Sequence, residues 1–66
     1  MSTSETIGER LRRLREERGL RQQDIACPGV SAQYISKLER GERTASVKAL
    51  RKLSPILGVT AQYLET

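Results

Sequence analysis

The chain has 66 residues, with 12 Lys and Arg against 8 Asp and Glu, a net charge of +4 and a pI near 9.8. A chain this short forms one domain, spanning 1–66, that removes roughly 60% of its unfolded surface from water, which leaves no room for a deep enzyme pocket. One cysteine, no histidine and no tryptophan exclude a disulfide, a metal cluster and a histidine-based catalytic set, so neither cofactor nor metal is expected. Basic domains attract nucleic acid or anionic surfaces. No apolar run approaches the ~20 residues of a membrane span and no signal-peptide pattern opens the chain, so a cytosolic, nucleoid-associated location is expected.

Met1 to Ser4 are small and polar and read as a frayed arm. A first helix should start at Thr6, where Thr6 and Glu9 have capping-box spacing; Ser2 with Glu5 is a rival start. Ile7, Leu11 and Leu14 make its buried stripe. Arg10, Arg12, Arg13, Arg15 and Arg18, tempered by Glu9, Glu16 and Glu17, form a largely self-paired surface. Gly19 ends the helix and Leu20 turns back to the core.

The organising stretch follows. Gln22 to Cys27 reads as a short helix with Ile25 and Ala26 inward; Pro28 cannot continue it, and Gly29 supplies a sharp reversal. Ser31 caps the next helix, 31–40, which stops at Gly41. Tyr34, Ile35 and Leu38 form its apolar side, with Val30 just before the cap. Ala32, Gln33, Ser36, Lys37 and Arg40 share the opposite face, and none is acidic. Two short helices across a tight turn make a helix-turn-helix, whose second helix enters a major groove; the alternative is a hairpin of helices packed in a small bundle.

A loop carrying Arg43 leads to Ser46, the expected cap of a fourth helix with a core stripe of Val47, Leu50, Leu53, Ile56 and Leu57. Pro55 lies inside that pattern, predicting a kink or a stop near Leu53. After Gly58, Thr60 caps a last helix, Ala61 to Leu64, with Val59, Tyr63 and Leu64 closing the core. Every predicted element is helical. Cys27 reads as a small filler rather than a reactive thiol.

These segments, GERLRRLREERGL, Gln22-Gln23 followed by Ala26, Gly29-Val30-Ser31, YISKLERGER from Tyr34 and Leu57-Gly58-Val59, together resemble the Cro and phage-repressor class of helix-turn-helix regulators, often called the xenobiotic-response-element family. The likeness covers about Ile7 to Leu64, with the pieces in order and at matching spacing. It implies an all-α, compact five-helix bundle of the lambda-repressor-like kind that binds double-stranded operator DNA, usually as a homodimer. Carried over by position, it places Ala32, Gln33, Ser36 and Lys37 at base edges: Gln33 has the donor and acceptor to read adenine, and Lys37 the reach for guanine. It puts Gln22 where a phosphate is contacted and a reading side chain braced. Gln23, Ser31, Arg40 and Arg43 are the further phosphate candidates, since caps, helix ends and the following loop border the groove walls. It also implies an ion pair between Glu39, which leans toward the core, and Arg15.

The chain departs from the pattern twice. Only Cys27 and Pro28 separate Ala26 from Gly29, a turn one residue short, which bears on the pose of the second motif helix. Pro55 stands where a helix-compatible residue is usual. Dimerisation is expected through the last two helices, where Leu57, Val59, Tyr63 and Leu64 could leave apolar area exposed, or through a region outside this chain. A different class of function stays open: a protein-interaction or antitoxin-type helical module with little DNA affinity, which a weak salt dependence of binding would reveal. An enzyme is not expected, because no side chain pairs with the carboxylates or the thiol as a reactive set.

Overall fold

Thr6 begins the first helix as its capping pattern demands. In the computed structural model, which describes residues 5–65, Glu9 N donates to Thr6 Oγ1 at 3.0 Å and Thr6 N to Glu9 Oε1 at 2.9 Å. The helix that follows, α1, spans Ile7–Glu17. The frayed arm and the rival start at Ser2 lie outside the described residues. Among the described residues four further helices, α2 (Gln22–Ile25), α3 (Ala32–Glu39), α4 (Val47–Leu57) and α5 (Ala61–Glu65), make up the rest of the all-α bundle. Leucines and isoleucines from all five meet in one core: Leu11, Ile25, Ile35, Leu53 and Leu64 are fully buried. Each such burial contributes about 1.5–3 kcal/mol.

The first motif helix is shorter than expected. It ends at Ile25 rather than at 27, because Ala26 is extended, with φ −67° and ψ 145°. Proline at position 28 drives the preceding residue out of the helical region and has no N–H to extend the ladder. Cys27 and Val30 then exchange backbone hydrogen bonds at 3.0 and 2.8 Å across Pro28-Gly29, with Gly29 at φ 87°. Proline then glycine is the pairing such a turn requires. The unwound end of α2 at Ala26 thus leads directly into the turn closed by Cys27 and Val30. Ile25 is buried as expected, and Ala26 is half-buried.

Pro55 does not stop α4, which continues to Leu57. The proline falls in the last turn, where it removes only the bond to the Arg51 carbonyl, and the Ser54 hydroxyl donates to that oxygen at 3.4 Å. Gly58, at φ 71°, reverses the chain: Gly58 N donates to Pro55 O and Val59 N to Ser54 O, closing the helix end.

The α4 stripe is rotated from the expected one. Ala49, Leu50, Leu53, Ser54 and Leu57 face inward, while Val47 is 48% and Ile56 39% exposed. Tyr63 is 41% exposed, whereas Leu57 and Leu64 are buried. Leu57 and Leu64 therefore have no apolar area left to offer a second chain.

Candidate nucleic-acid interface

The presentation of α3 depends on how its inner face is held. Ile35 and Leu38 anchor it in the core. Its N-terminus is capped by Ser31, whose Oγ accepts from Tyr34 N at 3.1 Å, leaving the hydroxyl proton free to donate outward. At the other end sits a polar clasp. Arg15 Nε and Nη2 donate to Glu39 Oε2 and Oε1 at 2.8 and 3.0 Å, and Arg15 Nη1 donates to the Leu20 carbonyl at 2.8 Å. Gln22 Nε2 adds a third donor to the carboxylate, on Glu39 Oε1 at 3.1 Å. The Glu39 carboxylate thereby ties α1, α2 and α3, and Arg15 holds the loop after α1. Hydrogen bonding to Glu39 raises the Arg15 pKa above its ordinary value. The side chains are 12% and 4% exposed, so the pair is shielded from the screening that weakens surface ion pairs.

Three further restraints carry little sequence signal. Gly8 is buried on α1, and a side chain there would overlap the Leu38 carbonyl oxygen, so α1 and α3 touch backbone to backbone. The one clue is a glycine in a helix, where it costs about 1 kcal/mol relative to alanine. Lys52 reaches from α4 to the turn, donating from Nζ to the Pro28 carbonyl at 2.8 Å. Tyr34, read as apolar, also uses its hydroxyl: it donates to Thr44 O at 3.5 Å and accepts from Ser46 N at 3.4 Å, fixing the loop after α3.

The outward face of α3 is as the helical spacing predicts. Gln33, Lys37 and Arg40 are exposed, Ala32 and Ser36 half-buried. Gln33, Ser36, Lys37 and Arg40 border one shallow depression. Arg40 does not extend from the helix end: Nη1 donates to Ser36 Oγ at 2.8 Å, and Nε and Nη2 to the Glu42 carboxylate at 2.9 and 3.3 Å. Glu42 is a neighbour that the spacing within α3 does not reveal. Arg43 lies with its guanidinium 5.7 Å from the Tyr34 ring centroid. Gln23 is exposed on α2, while Gln22 is half-buried and turned toward Glu39. Among the described residues no helix is long and apolar enough to cross a membrane.

A family model described as a helix-turn-helix domain matches residues 6–65. The chain is 47% identical over 57 residues to the HTH-type transcriptional regulator DdrOP3 of Deinococcus deserti, covering 85% of this chain and 44% of that protein. It is 42% identical over 67 aligned residues to the uncharacterized HTH-type transcriptional regulator y4dJ of Sinorhizobium fredii, covering 100% of this chain and 87% of the relative. It is also 41% identical to the SPbeta prophage-derived uncharacterized HTH-type transcriptional regulator YonR of Bacillus subtilis, over 88% of this chain and 55% of the relative. The chain thus spans less than half of the first of these proteins and most of the second.

Proposed function

The chain belongs to the helix-turn-helix domain family, and on that premise we propose that it binds double-stranded DNA sequence-specifically as the DNA-binding domain of a transcriptional regulator, with α3 in the major groove. The observation that carries this reading is the asymmetry of α3. Its inner face is locked by core leucine and isoleucine and by the Arg15–Glu39–Gln22 clasp, while its outer face offers polar and basic side chains with no acid among them. A rigid helix presenting such a face fits the width of a B-form major groove.

In this reading Gln33 pairs with an adenine edge, Lys37 with a guanine, Ser36 donates its hydroxyl, and Ala32 lies against a thymine methyl. Ser31, Gln23 and Arg43 contact phosphates along the groove walls, and Gln22 uses its second amide N–H in the same way while bracing Glu39. The role is non-enzymatic and the location cytoplasmic. An interaction module without DNA affinity is not favoured, since the relatives bear the names of transcriptional regulators. A single small domain makes few contacts, so two chains on half-sites about one helical turn apart supply the working affinity.

The test is selection of bound duplexes from a randomised pool, followed by salt titration of the preferred duplex with wild type and with Gln33 and Lys37 both changed to Ala. An enriched half-palindrome, lost in the double variant, is expected. Absence of enrichment, or equal binding by both proteins, would overturn the reading in favour of a protein partner.

A further inference from the structure

We propose that Arg40 reads a base edge and that Glu42 is the positioning residue that aims it, so the pair sets sequence preference at the C-terminal end of α3. The inference rests on the DNA-binding reading above and deepens it.

A long side chain at a helix end has two destinations. It can extend to the groove wall and meet a phosphate, or fold back over the preceding turn. Arg40, the cap of α3, folds back: Nη1 donates to Ser36 Oγ one turn earlier, at 2.8 Å. Its charged head therefore lies on the face that also carries Gln33 and Lys37, bordering the same depression. Side chains on helices lean toward the N-terminus, and Glu42 fixes that lean with bonds from Nε and Nη2 at 2.9 and 3.3 Å.

The donors left over suit a base. The bonds to Ser36 and Glu42 use one N–H from each guanidinium nitrogen. A second N–H remains on each terminal nitrogen, and two such donors from one planar group are what guanine O6 and N7 accept together. The charge points the same way. Glu42 lies against the guanidinium and repels an approaching phosphate, while a guanine edge offers acceptors without a full negative charge. Mutual hydrogen bonding raises the Arg40 pKa and lowers that of Glu42, so both stay ionised at neutral pH. In water the pair is exposed and weak; a duplex that excludes solvent strengthens it.

The experiment is duplex selection and salt titration with wild type, Arg40→Ala, Arg40→Lys and Glu42→Gln, with thermal melts to establish that each variant folds. Wild type should enrich a motif containing a guanine whose preference, about tenfold or more, disappears in both Arg40 variants, because lysine restores the charge but not the planar pair of donors. Glu42→Gln should weaken that preference while raising affinity for unrelated duplexes. If Arg40→Lys keeps the full motif, and Arg40→Ala weakens all duplexes alike with a salt slope lower by about 0.9, Arg40 is a phosphate contact and the proposal falls. If Glu42→Gln changes neither preference nor non-specific affinity, its positioning role falls. If wild type enriches nothing, the DNA-binding reading fails first, and this inference with it.

Discussion

Arg15 and Glu39 meet in a two-point pair at 2.8 and 3.0 Å across 24 residues of sequence. With Gln22 on the same carboxylate and Leu20 O on the same guanidinium, the pair joins the C-terminal end of α3 to α1 and α2. Changing Glu39 to Ala strands a shielded arginine and should cost about 3–5 kcal/mol. Replacing Arg15 and Glu39 together by Met and Leu should cost clearly less. Chemical denaturation of the single and double variants checks this, and equal losses would refute the ranking.

Gly8→Ala should destabilise although alanine is the better helix former. The added methyl overlaps the Leu38 carbonyl, and α1 must move from α3 at a cost of about 1–3 kcal/mol, against at most about 1 kcal/mol of propensity gained. A rise in melting temperature would show that the two backbones are not held in contact.

Pro55→Ala should stabilise, since it restores a donor to the Arg51 carbonyl inside a helix that is already continuous. A gain of about 2 kcal/mol is expected, being the ~3 kcal/mol helix penalty of proline reduced by the roughly 0.4–1 kcal/mol lost with the rigidity of the unfolded chain. Ser54→Ala should then cost less when combined with Pro55→Ala than when made alone, because the Ser54 hydroxyl no longer has to serve that carbonyl. A double-mutant cycle measures the difference.

Acid should unfold the domain partly through Glu5. Hydrogen bonds from Arg13, then Arg10, hold its carboxyl at about 2, below the ordinary 4.5. A carboxyl with a depressed folded-state pKa contributes stability that is full above its unfolded value and disappears as pH falls toward the folded one. The contribution should therefore fade between about 4.5 and about 2. Glu5→Gln should flatten stability against pH in that window and leave its slope above it unchanged, as read from melts across a pH series.

Arg43→Ala should weaken binding to every duplex alike and lower the salt slope by about one. Its guanidinium stacks on Tyr34, whereas that of Arg40 is held by the Glu42 carboxylate. An effect confined to one operator variant would show that Arg43 reads sequence instead.

What the sequence by itself determined was local. Caps at Thr6, Ser31 and Ser46 and the breaks at Gly41 and Gly58 locate helix ends, since each acts through atoms within a few residues. Periodicity divided α3 into a buried side and a polar one, and the family likeness supplied the Arg15–Glu39 pair, which joins residues no local pattern connects. The early end of α2 was within local reach, because Pro28 restricts Cys27, but the extended Ala26 needed the exchange between Cys27 and Val30 to declare itself. The fold-back of Arg40 joins near neighbours, yet choosing Ser36 and Glu42 over open solvent took the path of the loop after α3. Only the tertiary structure decided which side of α4 faces inward: Val47 and Ile56 satisfy an apolar spacing, yet the neighbouring helices cover Ala49 and Ser54 instead. The contact of Gly8 with Leu38 and the reach of Lys52 to Pro28 are likewise tertiary. Each depends on where a separate segment is brought in space, and hydrophobic periodicity, which reports burial but not the partner, holds no record of that.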